Sequence, residues 1–92
     1  MIKDFRHKGL KRLFERGDGA KVQPEHIERL RLLLFALDAA KVIDDMNQIG
    51  FRLHALKGDL ASHWAVRVNG NWRLTFRFID GDAYVVDYQD YH

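Results

Sequence analysis

The chain has no cysteine and one proline. Without thiols there is no disulfide framework and no thiolate chemistry, which fits a reducing cytoplasm, the expected compartment. Long apolar runs are missing as well. The longest, Leu32-Leu33-Leu34-Phe35-Ala36-Leu37, is six residues, against about 20 needed to cross a bilayer. The opening Met1-Ile2-Lys3-Asp4-Phe5-Arg6 is basic but has no apolar core, so it does not read as a secretory signal. The five histidines show no H-x-x-x-H pair, and no cysteine joins them, so neither a metal nor another cofactor is expected. No linker, repeat or low-complexity tract divides the sequence, so 1–92 is read as one domain.

What is present suits a small globular protein. Hydrophobic residues make up 47% of the chain and charged residues 30%, which argues against disorder. A chain of this size buries roughly 60–68% of its unfolded surface, enough for one modest core. Net charge is only +2, but it is uneven: residues 1–31 carry nine basic and five acidic side chains, while 81–92 carry Asp82, Asp87 and Asp90 and no Lys or Arg. The basic stretch is either a solvated helical face or a surface that meets nucleic acid or an acidic partner.

Periodicity divides the chain into two halves. Ile2–Phe5 reads as a short first strand. From His7, Leu10, Leu13 and Phe14 recur at helical spacing, with Gly17 and Gly19 as stops. A second helix is predicted from Pro24, a favoured first-turn residue, with Glu25 and Glu28 near its positive end. Ile27, Leu30, Leu33, Leu34 and Leu37 form its apolar stripe, and Val42–Met46 adds a helical turn. From residue 51 the period becomes two. Trp64, Val66 and Val68 alternate with Ala65 and Arg67; Trp72, Leu74, Phe76 and Phe78 alternate with Arg73, Thr75 and Arg77. Asn69-Gly70 and Asp80-Gly81 supply hairpin turns. The predicted fold is α+β: two N-terminal helices on one face of a small twisted antiparallel sheet, ending in a β-meander.

A three-residue loop at 69–71 sets Val68 against Trp72, Val66 against Leu74 and Arg67 against Arg73. A two-residue loop would mix apolar and basic faces. A tight Asp80-Gly81 turn then sets Phe76 against Val85 and Arg73 against Tyr88. On this register Tyr88, Asp90 and His92 share the face of Arg67, Arg73 and Arg77, and His54 can join them. Directly opposed arginines repel one another. An anionic ligand relieves that repulsion; so does neutralisation by Asp87, Asp90 or the terminal carboxylate.

Five ordered segments carry a resemblance. They are Arg52-Leu53-His54-Ala55-Leu56-Lys57-Gly58-Asp59, Trp64-Ala65-Val66-Arg67-Val68, Asn71-Trp72-Arg73-Leu74-Thr75-Phe76, Gly81-Asp82-Ala83-Tyr84 and the tail Asp87-Tyr88-Gln89-Asp90-Tyr91-His92. With the opening Ile2–Leu10, they resemble the HigB-type toxins of the RelE/ParE superfamily along essentially the whole chain. The resemblance implies a small α+β toxin with its active site on the sheet face away from the helices. It implies a HigA-type helix-turn-helix antitoxin as partner, operator DNA bound only through that complex, and messenger RNA cleaved in the ribosomal A site. No membrane partner is implied.

Metal-independent RNA cleavage uses the 2′-OH as nucleophile, with a base and an acid that titrate near neutrality. His54 and His92 are the candidates, and the sequence leaves open which is base and which is acid. Asp90 is assigned to orienting an imidazole, Lys57 and Arg73 to stabilising phosphoryl charge, and Tyr91 to stacking on a base or bonding the phosphate. Arg67, Arg77, Lys8, Lys11 and Arg12 are candidates for RNA contact. Asp90, Lys57 and Tyr91 also have plainer readings, as a solvated tail acid, a loop lysine and ordinary packing. His7 and His26 are expected at the surface and Trp64 and Trp72 in the core, while His63, just before a strand, is a weak candidate for touching RNA. Two other functions fit the same fold: a ParE-like inhibitor of DNA gyrase, and a ribosome- or RNA-binding growth inhibitor without catalysis.

Overall fold

In a computed structural model the described residues are 1–90, so the expectations for Tyr91 and His92 lie outside the described residues. The first helical stripe forms α1, Lys8–Arg16. His7 stays extended and caps it, its ring Nδ1 accepting from the Leu10 N–H at 3.1 Å. Gly17 ends it at φ +71, a left-handed conformation that costs glycine little. Gly19, expected as a second stop, instead gives close packing: a Cβ there would sit 2.6 Å from Ile27 Cδ1. The second stripe opens with a 3₁₀ turn, Pro24–His26, and continues as α2, Ile27–Ala39. A further 3₁₀ turn spans Ile43–Met46.

The period-two half forms one antiparallel sheet in the order β1 His54–Ala55, β2 Trp64–Asn69, β3 Trp72–Ile79 and β4 Asp82–Asp90. Residues 2–5 run beside β4 in parallel rather than forming a strand of the meander. Lys3 N–H donates to the Ala83 carbonyl at 2.8 Å and Ala83 N–H to the Met1 carbonyl at 2.9 Å. Leu10, Leu13, Leu30, Leu33, Leu34 and Leu37 from the helices pack with Val66, Leu74, Phe76, Ala83 and Val86 from one sheet face. No helix among the described residues is long and apolar enough to cross a membrane.

Two bulges correct the expected register. On β2, Val66 faces Leu74 and Arg67 faces Arg73, as expected, but Asn69 rather than Val68 faces Trp72. The turn is therefore the two residues Gly70 and Asn71, with Val68 the extra residue of a bulge. The Asp80-Gly81 turn sets Ile79 against Asp82 and Arg77 against Tyr84. Beyond a second shift, Thr75 faces Asp87, Leu74 faces Tyr88, Arg73 faces Gln89 and Trp72 faces Asp90. Val85 and Val86 together oppose Phe76. One inserted residue flips every later side chain to the other face.

Tyr88 consequently joins the core instead of the arginine face, at 6% exposure. Its ring stacks on Trp72 with centroids 4.5 Å apart. His26, expected at the surface, is 3% exposed and hydrogen-bonds the Tyr88 hydroxyl through Nδ1 at 2.5 Å. The reason is local: the 3₁₀ turn points His26 inward, where Tyr88 satisfies it. Burial raises the Tyr88 pKa, against a backbone hydrogen bond from Gln23 that lowers it. Tyr88→Phe is expected to cost about 1–3 kcal/mol, because it leaves a buried imidazole nitrogen without its partner. Urea titration measures this. A folded-state pKa above the unfolded value stabilises fully below pH ~10 and loses that contribution as pH rises through the raised value. The gap between wild type and Tyr88→Phe should therefore hold at neutral pH and narrow in strong alkali.

Candidate functional site

Strand alternation places His54, Ala65, Thr75 and Asp87 in one row on the face away from the helices, and Arg67, Arg73 and Gln89 in the next. Ala65 and Thr75 are small and buried, at 0% and 1% exposure. His54 and Arg73 stand two strands apart, about 10 Å between strand axes.

His54, the Arg67 backbone and the end of β4 are each held by hydrogen bonds. The His54 ring donates from Nδ1 to the Arg52 carbonyl at 2.9 Å, which leaves Nε2 as the ring nitrogen open to a proton or a substrate. Arg52 adopts φ +52 to present that carbonyl. Beneath Arg67, the Arg29 guanidinium from α2 donates to the Arg67 carbonyl at 2.9 Å and to the Gly50 carbonyl at 2.7 Å, and lies 5.3 Å from the Phe51 ring centroid. Gln89 donates to Thr75 Oγ1 at 3.3 Å and to Asp87 Oδ2 at 3.0 Å, while Tyr88 N–H donates to Asp87 Oδ1 at 2.9 Å. This carboxylate–amide–hydroxyl chain fixes the end of β4.

The structure brings His54, Arg67 and Arg73 onto one face, as expected. Lys57 is exposed on the loop after β1, immediately before the 3₁₀ turn Gly58–Leu60. Arg77 is exposed on the same face, paired with Tyr84. Asp90 is not brought there. It lies across from Trp72 and lines a cavity with His7, Trp72 and Tyr88, because the β4 bulge flips it. His63, one residue before β2, directs Nδ1 toward the Ala61 carbonyl. Lys8 and Arg12 line an open cavity of about 590 Å³ with Arg6, Lys21 and Asp87, and Lys11 is exposed on α1. Sequence reasoning missed Thr75, Asp87 and Gln89. For Asp87 and Gln89 the signal was polarity at even spacing along β4, which a straight strand assigns to the wrong face; Thr75 lies on β3, between Arg73 and Arg77.

Comparison with known proteins then supplies the family. The model of the RelE-like HigB toxins of type II toxin–antitoxin systems matches residues 3–92. This chain belongs to that family. Endoribonuclease HigB of Proteus vulgaris is 48% identical over 92 residues, covering all of both chains. Toxin HigB-1 of Vibrio cholerae serotype O1 is 34% identical over 85 residues, 90% of each chain. Among solved structures, a chain of the YoeB–YefM complex from Staphylococcus aureus superposes with a TM-score of 0.58 at 14% identity, covering 97% of this chain and 93% of that one. At that identity the likeness concerns the fold alone. A RelE-like α+β architecture and membership in the HigB-like toxins thus rest on independent grounds.

Proposed function

We propose that this HigB-like chain is an endoribonuclease toxin of a type II toxin–antitoxin system that cuts messenger RNA during translation. The observation that carries the proposal is full-length identity of 48% to an endoribonuclease. The face that assembles His54, Arg67 and Arg73 supports it.

The chemistry is transesterification. A base takes the proton of the 2′-OH, the oxygen attacks the adjacent phosphorus, and an acid protonates the departing 5′-oxygen. The products are a 2′,3′-cyclic phosphate and a 5′-hydroxyl. His54 Nε2 serves as one proton-transfer group and His92 as the other. Arg73, with two parallel N–H donors, and Lys57, with a point charge, take the charge that builds on the phosphoryl oxygens. Tyr91 stacks on a base or binds the phosphate. Asp90, across from Trp72 and away from the His54 row, leaves the orientation of the His54 ring to the Arg52 carbonyl. Arg67 and Arg77 beside the site, and Lys8, Lys11 and Arg12 on α1, follow the RNA backbone of mRNA or ribosome. A HigA-type antitoxin in the cytoplasm is the partner that restrains the toxin, and operator DNA is reached through that complex.

Primer extension on a message in a purified translation system tests the reading. New 5′ ends within the translated frame, dependent on ribosomes and blocked by the antitoxin, are expected. Growth arrest with intact message, or unchanged arrest by a folded His92→Ala chain, would remove catalysis from the account.

A further inference from the structure

The bulge in β4 is built in an unusual way. A bulge whose first residue is left-handed normally uses glycine there. Here the residue is Val85, at φ +48, a conformation that a β-branched side chain strongly disfavours. Strain of this kind persists only where surrounding contacts over-determine it. Those contacts come from the other end of the sequence. The Asp4 carboxylate accepts from the Val85 N–H at 2.5 Å, and the Asp4 carbonyl accepts from the Val86 N–H at 3.3 Å. Arg6 N–H donates to the Val86 carbonyl at 2.9 Å.

The location of this clamp matters. Before the bulge, Ala83 faces the core and Tyr84 faces away. After it, Val86 and Tyr88 face the core while Asp87 reaches the row of His54 and Thr75 and Gln89 the row of Arg73. The apolar pattern alone prefers this register, since a straight strand would bury Asp87. Pattern does not set the bend and twist of the inserted residue, which re-aim everything beyond it.

We propose that Asp4 is a positioning residue: by holding Val85 in its left-handed conformation it fixes the bulge that aims Asp87 and Gln89, near the end of β4, at the sheet face bearing His54 and Arg73. The proposal rests on the ribonuclease reading for what is being aimed. The clamp itself is independent of that reading.

Asp4→Ala, assayed on mRNA bound to programmed ribosomes well below its melting temperature, should lower kcat about tenfold with KM within a factor of two, the loss of one hydrogen bond expressed as rate. Asp4→Asn keeps an accepting oxygen and should restore kcat. Val85→Gly removes the strain, so adding it to Asp4→Ala should also restore kcat. In parallel, NMR of the intact chain reads the strand directly. Asp4→Ala should retain the Leu74–Tyr88 cross-strand contact and broaden the amides of residues 84–90, and Val85→Gly should sharpen them again. Wild-type kcat in Asp4→Ala, or a loss that Val85→Gly fails to repair, overturns the proposal. Wild-type protein that does not cleave, with broadening still caused and cured by these changes, removes the nuclease reading and leaves the clamp standing.

Discussion

Alanine at His54 is expected to slow RNA cleavage by about 10²- to 10⁴-fold, the usual value of a positioned proton-transfer group. Alanine at His92 should cost a similar factor. The double replacement should cost little more than either single one, because groups that move protons in one concerted step lose their value together. The role proposed for His54 draws on the geometry of its ring. Its Nδ1–H is committed to the Arg52 carbonyl, so the ring is fixed in orientation and tautomer with Nε2 outward. His54→Asn would be informative as well as His54→Ala, since it can keep the hydrogen bond to Arg52 but cannot take a proton near neutrality. Single-turnover cleavage across pH 5–9 is the measurement. Wild type should give a bell, and each single variant should lose one limb of it. Equal loss at every pH, with the bell intact, would make His54 a packing residue and return the search for the base to the face around it.

Arg73→Ala should lower kcat by about 10²- to 10³-fold, the effect of removing one preorganised donor to a charged transition state. Arg73→Lys should recover only part of this, since an ammonium cannot offer the paired, coplanar donors of guanidinium. Arg67 is the internal comparison. It stands directly opposite Arg73 in the sheet, and its backbone carbonyl is held by Arg29. If Arg67 follows the RNA strand rather than the reacting phosphate, Arg67→Ala should act chiefly on KM and on salt dependence. The split between kcat for Arg73 and KM for Arg67 is read from initial rates at two or three ionic strengths. Equal kcat effects from both arginines would place the scissile phosphate between them.

The helices were readable because each carries its own punctuation. His7, Gly17 and Pro24 mark ends that the leucine stripes fill in between, and the observed spans follow them. The opposition of Arg67 and Arg73 was readable because only one register keeps apolar and basic faces apart. His54 was placed on the basic face from its apolar neighbours alone. Asp90 and Tyr88 failed for one shared reason. A strand read from sequence alternates without interruption, and valine is a poor choice for a left-handed position, so the one sign of an inserted residue was the Asp87 that a straight strand would bury. The carboxylate that meets the Val85 N–H lies some eighty residues away, in Asp4. His26 failed differently. A histidine at the start of a helix looks exposed until a tyrosine from the last strand is known to meet it.

That tyrosine, and the clamp on Val85, join parts of the chain that are far apart in sequence: 62 residues for His26 and Tyr88, 81 for Asp4 and Val85. Contacts of such span close large loops and pay their entropy before any local reward arrives. They belong late in the folding sequence, after the helices and the β2–β3 hairpin have settled. Ability to cut RNA would then be acquired at the close of folding, and a partly folded copy, however helical, would be harmless to the cell.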